Sequence, residues 1–269
     1  MQLGLIGLGA MGGSMARRLA SDHRVVVYDL DAAAVRGAVD AGSESAANIA
    51  ELVGALSSPR VVWVMLPARA PTEQTITELS GLLSPDDVIV DGGNSHYRDS
   101  MRRAGSLAEN GIHFLDVGTS GGFEAGEHGY ALMIGGPDSV VERLAAIFES
   151  LAYDREKGWA GVGPHGAGHF AKMIHNGVEY GMIRAYAQGL SALSDKQEFD
   201  FDLEAITGVW RHGAMARSAL LDLIHKALSA NPDLGALAPY VADEGEDRWT
   251  VDDALDQIAQ RGFDRDQLV

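Results

Sequence analysis

"GLIGLGAMGGSMARRL", residues 4–19, is the stretch that decides the fold. An apolar run leads into Gly7, Gly9 and Gly12, and a segment of helical character follows. The G-x-G-x-x-G spacing is a weak signal alone, but between a strand and a helix each glycine has a physical task. The first permits the turn, the second lets backbone approach a pyrophosphate, and the third lets the helix pack close to the strand. The helix N-terminus then offers unpaired N–H groups and partial positive charge to phosphate oxygens. The expectation is a nucleotide loop of Gly7, Leu8, Gly9, Ala10, Met11 and Gly12 at the head of an α/β Rossmann-type domain.

Working outward, the next apolar run, "RVVVYD", ends at Asp29, 22 positions after Gly7. A carboxylate there accepts hydrogen bonds from a ribose 2′-hydroxyl and repels a 2′-phosphate. No arginine follows it directly, so NAD is expected in preference to NADP; Arg36 is the nearby cation that could weaken this. Further β-rich runs are "RVVWVML", "DVIVDG", "HFLDVG" and "YALMIGG". Helical stretches near 11–21, 31–41, 45–56, 72–83, 97–110 and 137–151 alternate with them, which predicts a parallel sheet wrapped by helices. After Gly163-Pro164 the pattern becomes long and helical. We expect a dinucleotide-binding domain over 1–163 and an all-α C-terminal domain over 164–269.

Composition narrows the function. The chain has 269 residues, 46% hydrophobic and 22% charged, enough for two domains with a sizeable core. A formal charge of −17 argues against nucleic acid or an anionic membrane as partner. It also means that an anionic substrate needs a local cluster of Arg or Lys. With no cysteine, disulfides, thiolate metal sites and thiol catalysis are excluded. No compact His/Asp/Glu set stands at metal spacing, so no metal site is expected. The opening "MQLGLIGLG" has no basic leader, and a cytoplasmic enzyme is the expectation.

A second stretch carries the chemistry. In "GHFAKMIHNGVEYG" (168–181), a helix would place His169, Lys172, His175, Asn176 and Glu179 within about a third of the circumference. Phe170, Met173, Ile174, Gly177 and Val178 take the other side. Solvated stripes are usually dominated by Lys, Glu, Arg and Asp. This one mixes a base, an acid and neutral hydrogen-bonding groups, which suits proton transfer.

With "MLPARAPT" (65–72), "DGGNSHYRDS" (91–100) and "DVGTSGGFEAGEHGYALMIGG" (116–136), these motifs resemble the 6-phosphogluconate dehydrogenases. The likeness is to their short NAD-preferring branch, within the β-hydroxyacid dehydrogenase superfamily. It runs over roughly residues 1–250, and "HNGVEYG" is its sharpest motif, since relatives acting on small hydroxyacids carry an Asn-Asn pair there. It implies oxidative decarboxylation of 6-phosphogluconate to ribulose 5-phosphate, as in the pentose phosphate pathway and gluconate utilisation. The resemblance makes Lys172 the base that takes the hydroxyl proton and Glu179 the acid that protonates the enediol carbon. His175 and Asn176 would bind substrate hydroxyls, while His169 could simply pack. Asn94 would touch nicotinamide ribose and substrate, and Ser120, Gly121 and Gly122 would grip a carboxylate. Met11 and the loop of Met65, Leu66 and Pro67 would line the nicotinamide. Tyr180 and Arg217 would bind the phosphate, an arginine giving a bidentate grip. A homodimer or homotetramer through the helical domain is implied as well.

The chain departs from the pattern near its end. Before "RWT" (248–250) it reads "ADEGED", so Glu244 and Glu246 bring negative charge to a place where relatives bind phosphate. Its last stretch, "DQIAQRGFDRDQLV", stands where the family has an apolar segment and a further arginine-bearing helix. These departures bear on phosphate binding and assembly, and favour as an alternative a smaller or non-phosphorylated β-hydroxyacid.

Overall fold

Alternating apolar residues on short strands build two cores, one on each face of a single sheet. The computed structural model describes residues 1–121, 125–231, 249, 250 and 253. The strands are β1 (Gln2–Ile6), β2 (Arg24–Tyr28), β3 (Glu44–Ser45), β4 (Val61–Val64), β5 (Val88–Asp91), β6 (His113–Ser120), β7 (Ala131–Gly135) and β8 (Trp159–Gly163). Between them come α1 (Ala10–Leu19), α2 (Ala32–Asp40), α3 (Ile49–Gly54), α4 (Ala70–Leu82), α5 (Tyr97–Ala108), α6 (Ala125–His128), α7 (Asp138–Arg143) and α8 (Ala145–Leu151). After the last strand follow α9 (Ala167–Asp195), α10 (Leu203–Trp210) and α11 (Ala219–Ala230).

The strand order is β3-β2-β1-β4-β5-β6-β7-β8. One face buries Leu3, Leu5, Val25, Val27, Trp63, Val88 and Val90 against Met15 and Leu19 of α1 and Ile147 and Phe148 of α8. The other buries Ile6, Val26, Val62, Val64, Ile89 and Phe114 against Leu52 of α3, Leu79 of α4 and Leu107 of α5. Each large apolar side chain so placed contributes about 1.5–3 kcal/mol relative to exposure. The two-residue period of a strand sends neighbouring residues to opposite faces, which is why both faces need helices.

The sheet differs from the all-parallel expectation at one ladder. β6 and β7 pair antiparallel, with Asp116 opposite Gly135 and Ser120 opposite Ala131. Residues 121–130 are too few for the crossover that parallel strands need. β3 forms where a helix was expected to begin, because pairing with β2 satisfies backbone groups such as Ala46 N–H on the Val27 carbonyl at 3.0 Å. β8 was not foreseen at all; its Ala160, Gly161 and Val162 are exposed, so no buried alternation marks it. The expected helix 137–151 breaks at Leu144 (φ −99°, ψ 7°), a buried residue that divides α7 from α8.

By compactness the chain divides into Met1–Met173 and Ile174–Val269, a division that falls inside α9. The first turns of α9 are bound to the sheet. The buried Asp116 carboxylate of β6 accepts from Gly166 N–H at 2.6 Å and from His169 N–H at 2.9 Å. A Cβ on Gly168 would lie 2.3 Å from the Asp116 carbonyl oxygen, so only glycine allows this approach. In the second unit, Thr207 of α10 hydrogen-bonds His225 of α11 at 3.1 Å, and the Ser229 hydroxyl donates to Glu204 at 2.7 Å. Among the described residues, no helix is long and apolar enough to cross a membrane.

Candidate active site

The glycine loop joins β1 to α1 where the strand order reverses between β1 and β4, the usual place of a ligand crevice. Gly7 has φ +94°, which strains any other residue, and a Cβ there would meet the Met65 carbonyl oxygen at 2.3 Å. A Cβ on Gly12 would lie 2.0 Å from the Gly7 carbonyl oxygen. Gly9 faces open space. It is also the N-cap of α1 and supplies no side-chain cap, whereas Asp31, Asn48, Asp202 and Ser218 cap α2, α3, α10 and α11. Like α4, α7 and α8, α1 therefore has no side-chain cap, and its first N–H groups can donate to a ligand at the glycine loop.

Asp29 stands beside this loop, its carboxylate set by backbone donors. Leu8 N–H donates to Oδ2 at 2.5 Å and Asp31 N–H to Oδ1 at 2.7 Å. Each oxygen keeps further accepting capacity for a ribose diol. Leu30 beside it is 91% exposed, and no cation occupies that position. An uncapped helix end, an open glycine and an oriented carboxylate fit NAD.

The remaining cofactor candidates lie on the next two strand ends. Met65 N–H donates to the Ile6 carbonyl at 2.8 Å, fixing the start of the 65–68 loop. Thr72 Oγ1 donates to the Pro67 carbonyl at 2.8 Å and closes that loop onto α4. Met11 and Met65 are half-buried, packed on the core beneath. Asn94 stands three residues after the end of β5, behind Gly92 and Gly93, and is half-buried.

Lys172 belongs to the part of α9 that lies on β6. A Cβ on Gly118 would stand 2.5 Å from Lys172 Cβ, so the lysine stem crosses the strand at this glycine. Two residues later β6 ends at Ser120, followed by Gly121, where a Cβ would meet Ala125 Cβ at 2.5 Å. Gly122 lies outside the described residues. The same strand end therefore presents the lysine stem and the Ser120-Gly121 pair. His169 is buried instead, its Nδ1 2.6 Å from Ser100 Oγ.

Further along the same continuous helix, His175 Nδ1 is 3.5 Å from Asn176 Oδ1 and 3.7 Å from Glu179 Oε2. Glu179 and His175 are each 42% exposed at the side chain. A Cβ on Gly177 would meet Thr250 Cγ2 at 2.6 Å, so Thr250 rests against the helix beside Asn176. His175, Asn176 and Glu179 follow one another at helical spacing on one face of α9. Tyr180 adjoins this stripe and is 41% exposed.

Arg217 lies between α10 and α11, in a cavity of about 430 Å³ that Arg211, His212, Gly213 and Asp222 also line. Arg211 Nε donates to Asp222 Oδ1 at 2.5 Å. That bond, with the positive charge of Arg211, Arg217 and His212, holds the Asp222 carboxyl below its ordinary range. Tyr186 of α9 braces the turn through the Ala216 carbonyl and the Ser218 hydroxyl. In a chain of net charge −17, this cavity brings Arg211, Arg217 and His212 together around the single carboxylate of Asp222. Glu244 and Glu246 lie outside the described residues.

Sequence reasoning named Arg217 but not Arg211 and His212, although all three stand in "WRHGAMARS". It also passed over Gly118 and Asp116, whose one signal is the "DVGTSGG" run. It missed Arg103, which is buried behind Asn94 and which nothing local in the sequence distinguishes from Arg102.

Comparison with known proteins accords with this geometry. A family model described as the NAD binding domain of 6-phosphogluconate dehydrogenase matches residues 2–177. The model of the C-terminal domain of 6-phosphogluconate dehydrogenase matches 181–248. A Haloferax volcanii protein named NAD(+)-dependent, decarboxylating 6-phosphogluconate dehydrogenase is 42% identical over 96% of this chain and 85% of its own length. A Bacillus subtilis (strain 168) protein with a provisional 6-phosphogluconate dehydrogenase name is 41% identical over 95% of this chain and 85% of its own. A solved Plasmodium falciparum 6-phosphogluconate dehydrogenase superposes with a TM-score of 0.85 at 24% identity, a likeness of fold. It covers 96% of this chain, which spans 58% of that longer one. The chain belongs to the 6-phosphogluconate dehydrogenase family.

Proposed function

We propose that this protein oxidatively decarboxylates 6-phospho-D-gluconate to D-ribulose 5-phosphate and carbon dioxide with NAD. The observation that carries the reading is Lys172, whose stem crosses β6 at Gly118 beside the Ser120-Gly121 strand end; the sequence spacing puts Glu179 seven residues, two helical turns, further on. Lys172 accepts the C3 hydroxyl proton. Held by the glycine loop and Asp29, bound NAD would supply the hydride acceptor for C3. The 3-keto acid loses carbon dioxide as the C1–C2 bond breaks, and its electron pair becomes the enediol. Lys172, now an ammonium, donates its proton to the C3 oxygen as that charge develops. Glu179 delivers a proton to C2 while Lys172 takes the C3 oxygen proton back, and the ketone re-forms. Returning that proton from Lys172 to Glu179 resets both groups.

His175 and Asn176 orient the hydroxyls, Ser120 with Gly121 and Gly122 grips the carboxylate, and Arg217 with Tyr180 takes the phosphate. The cationic cavity around Arg217 supports a phosphorylated substrate over a smaller hydroxyacid. A cytoplasmic homodimer or homotetramer is part of this proposal. Ile174, Val178, Met182 and Ile183 stand exposed along α9 in the single chain, an apolar face that assembly would cover.

The test is turnover of 6-phosphogluconate, gluconate and 3-hydroxyisobutyrate side by side with NAD, following NADH and identifying products by mass. We expect NADH, ribulose 5-phosphate and carbon dioxide in equal amounts from the first substrate. Faster turnover of either other acid would overturn the assignment.

A further inference from the structure

Behind the loops that follow β4 and β5 runs a chain of charged side chains. Arg103 of α5 is 2% exposed at the side chain. Its Nη1 donates to Asp91 Oδ2 at 3.0 Å and to Ser95 Oγ at 3.1 Å, and its Nε to Glu73 Oε2 at 2.9 Å. Asp91, the fully buried last residue of β5, accepts from Gly93 N–H at 3.2 Å and from the Ser95 hydroxyl at 2.8 Å. The residues on both sides of Asn94 are therefore tied to one carboxylate, and Arg103 holds that carboxylate. Glu73 stands in the first turn of α4, the helix that closes the 65–68 loop. The two loops meet at their backbones, since a Cβ on Gly93 would be 2.6 Å from the Leu66 carbonyl oxygen.

Stability alone does not explain the arrangement. A buried ion pair is often no better than well-packed apolar residues, because desolvation offsets the attraction. Here two of the three arginine bonds go to the Asn94 loop and its anchor, and the third reaches the helix that closes the neighbouring loop.

We propose that Arg103 is a positioning residue for the reaction, holding the 92–95 loop so that Asn94 meets the nicotinamide ribose and the substrate. The inference rests on the role assigned above to Asn94.

The test is a double-mutant cycle in the full chain. Arg103→Lys, Asn94→Ala and their combination are compared for kcat and KM with 6-phosphogluconate and NAD. NADH affinity is measured separately, by fluorescence titration. Arg103→Lys keeps the charge and loses the fork. We expect it to lower kcat/KM about tenfold and NADH affinity about threefold, yet to add less than about twofold once Asn94 is Ala, because both act through one side chain. Losses that multiply, or an Arg103→Lys protein within about twofold of wild type, would overturn the proposal. Should that variant fail to fold, Ser95→Ala removes the hydroxyl tie and keeps the ion pair. A loss of about threefold that vanishes in the Asn94→Ala background then supports the proposal, and a multiplying loss or none overturns it. If wild type does not turn over 6-phosphogluconate, the proposed function fails, and the NADH arm still decides the role of Arg103.

Discussion

At the β1–α1 turn the groups offered to a ligand are backbone amides, and the Met65 and Gly7 carbonyls crowd the glycines from behind. On α9 the groups are side chains, and several stand well exposed, including His175, Glu179 and Tyr180. The loop has no room for an added carbon at Gly7 or Gly12, yet the chemical identity of its side chains matters little. The stripe has room, and in the proposed mechanism Lys172 and Glu179 act by proton transfer, which depends on the chemical identity of each group. Cofactor binding should therefore fail by steric change and turnover by chemical change.

A crossed pair of substitutions tests that separation with the largest effects. Lys172→Met should lower kcat by about 10²–10⁴-fold, the usual contribution of a general acid–base group, with NADH affinity nearly intact. Gly12→Ala places a carbon against the Gly7 carbonyl and should weaken NADH by about tenfold or more. NADH titration and turnover on both proteins decide it. Should Lys172→Met retain more than about a tenth of wild-type activity, the lysine is not the base.

A smaller effect is expected at the one side chain that the loop does use. Asp29→Ser with Leu30→Arg removes the carboxylate held by the Leu8 and Asp31 amides and adds a cation at an exposed position. The NAD-over-NADP ratio of kcat/KM should fall by about tenfold, because a 2′-phosphate is no longer repelled. Better use of NADP by wild type would refute the reading of Asp29.

The smallest effect sharpens the contrast from behind the loops. Hydrogen bonds from Arg102 and then Arg103 hold the Glu73 carboxyl at about 2, against an ordinary 4.5. The folded protein binds that proton more weakly than the unfolded chain. The resulting stability is complete above about pH 4.5 and lost as pH falls toward 2. Glu73 is 40% exposed, so solvent screens the pairing. Glu73→Gln should lower Tm by about 1–3 °C near neutrality, with the gap to wild type closing on acidification. A gap that stays constant with pH would show that Glu73 acts by packing.

What could be read along the chain was chemistry within one element or across one turn. The glycine spacing, Asp29 after its strand and the stripe of α9 depend on helix or strand periods that neighbouring residues set. Of eight strands in the sheet, the six with buried apolar runs were legible, whereas β3 and β8 were not, since edge pairing rather than burial defines them. The antiparallel β6–β7 ladder, the boundary within α9, the Arg211–Arg217 cavity and the Arg103–Asp91 pair needed the folded chain. Each joins groups whose meeting depends on register or on the packing of one element against another, and no local spacing encodes that. Arg102 and Arg103 show the limit most clearly. They are adjacent, identical in kind and both bonded to Glu73, yet the packing of α5 buries one behind Asn94 and leaves the other in water.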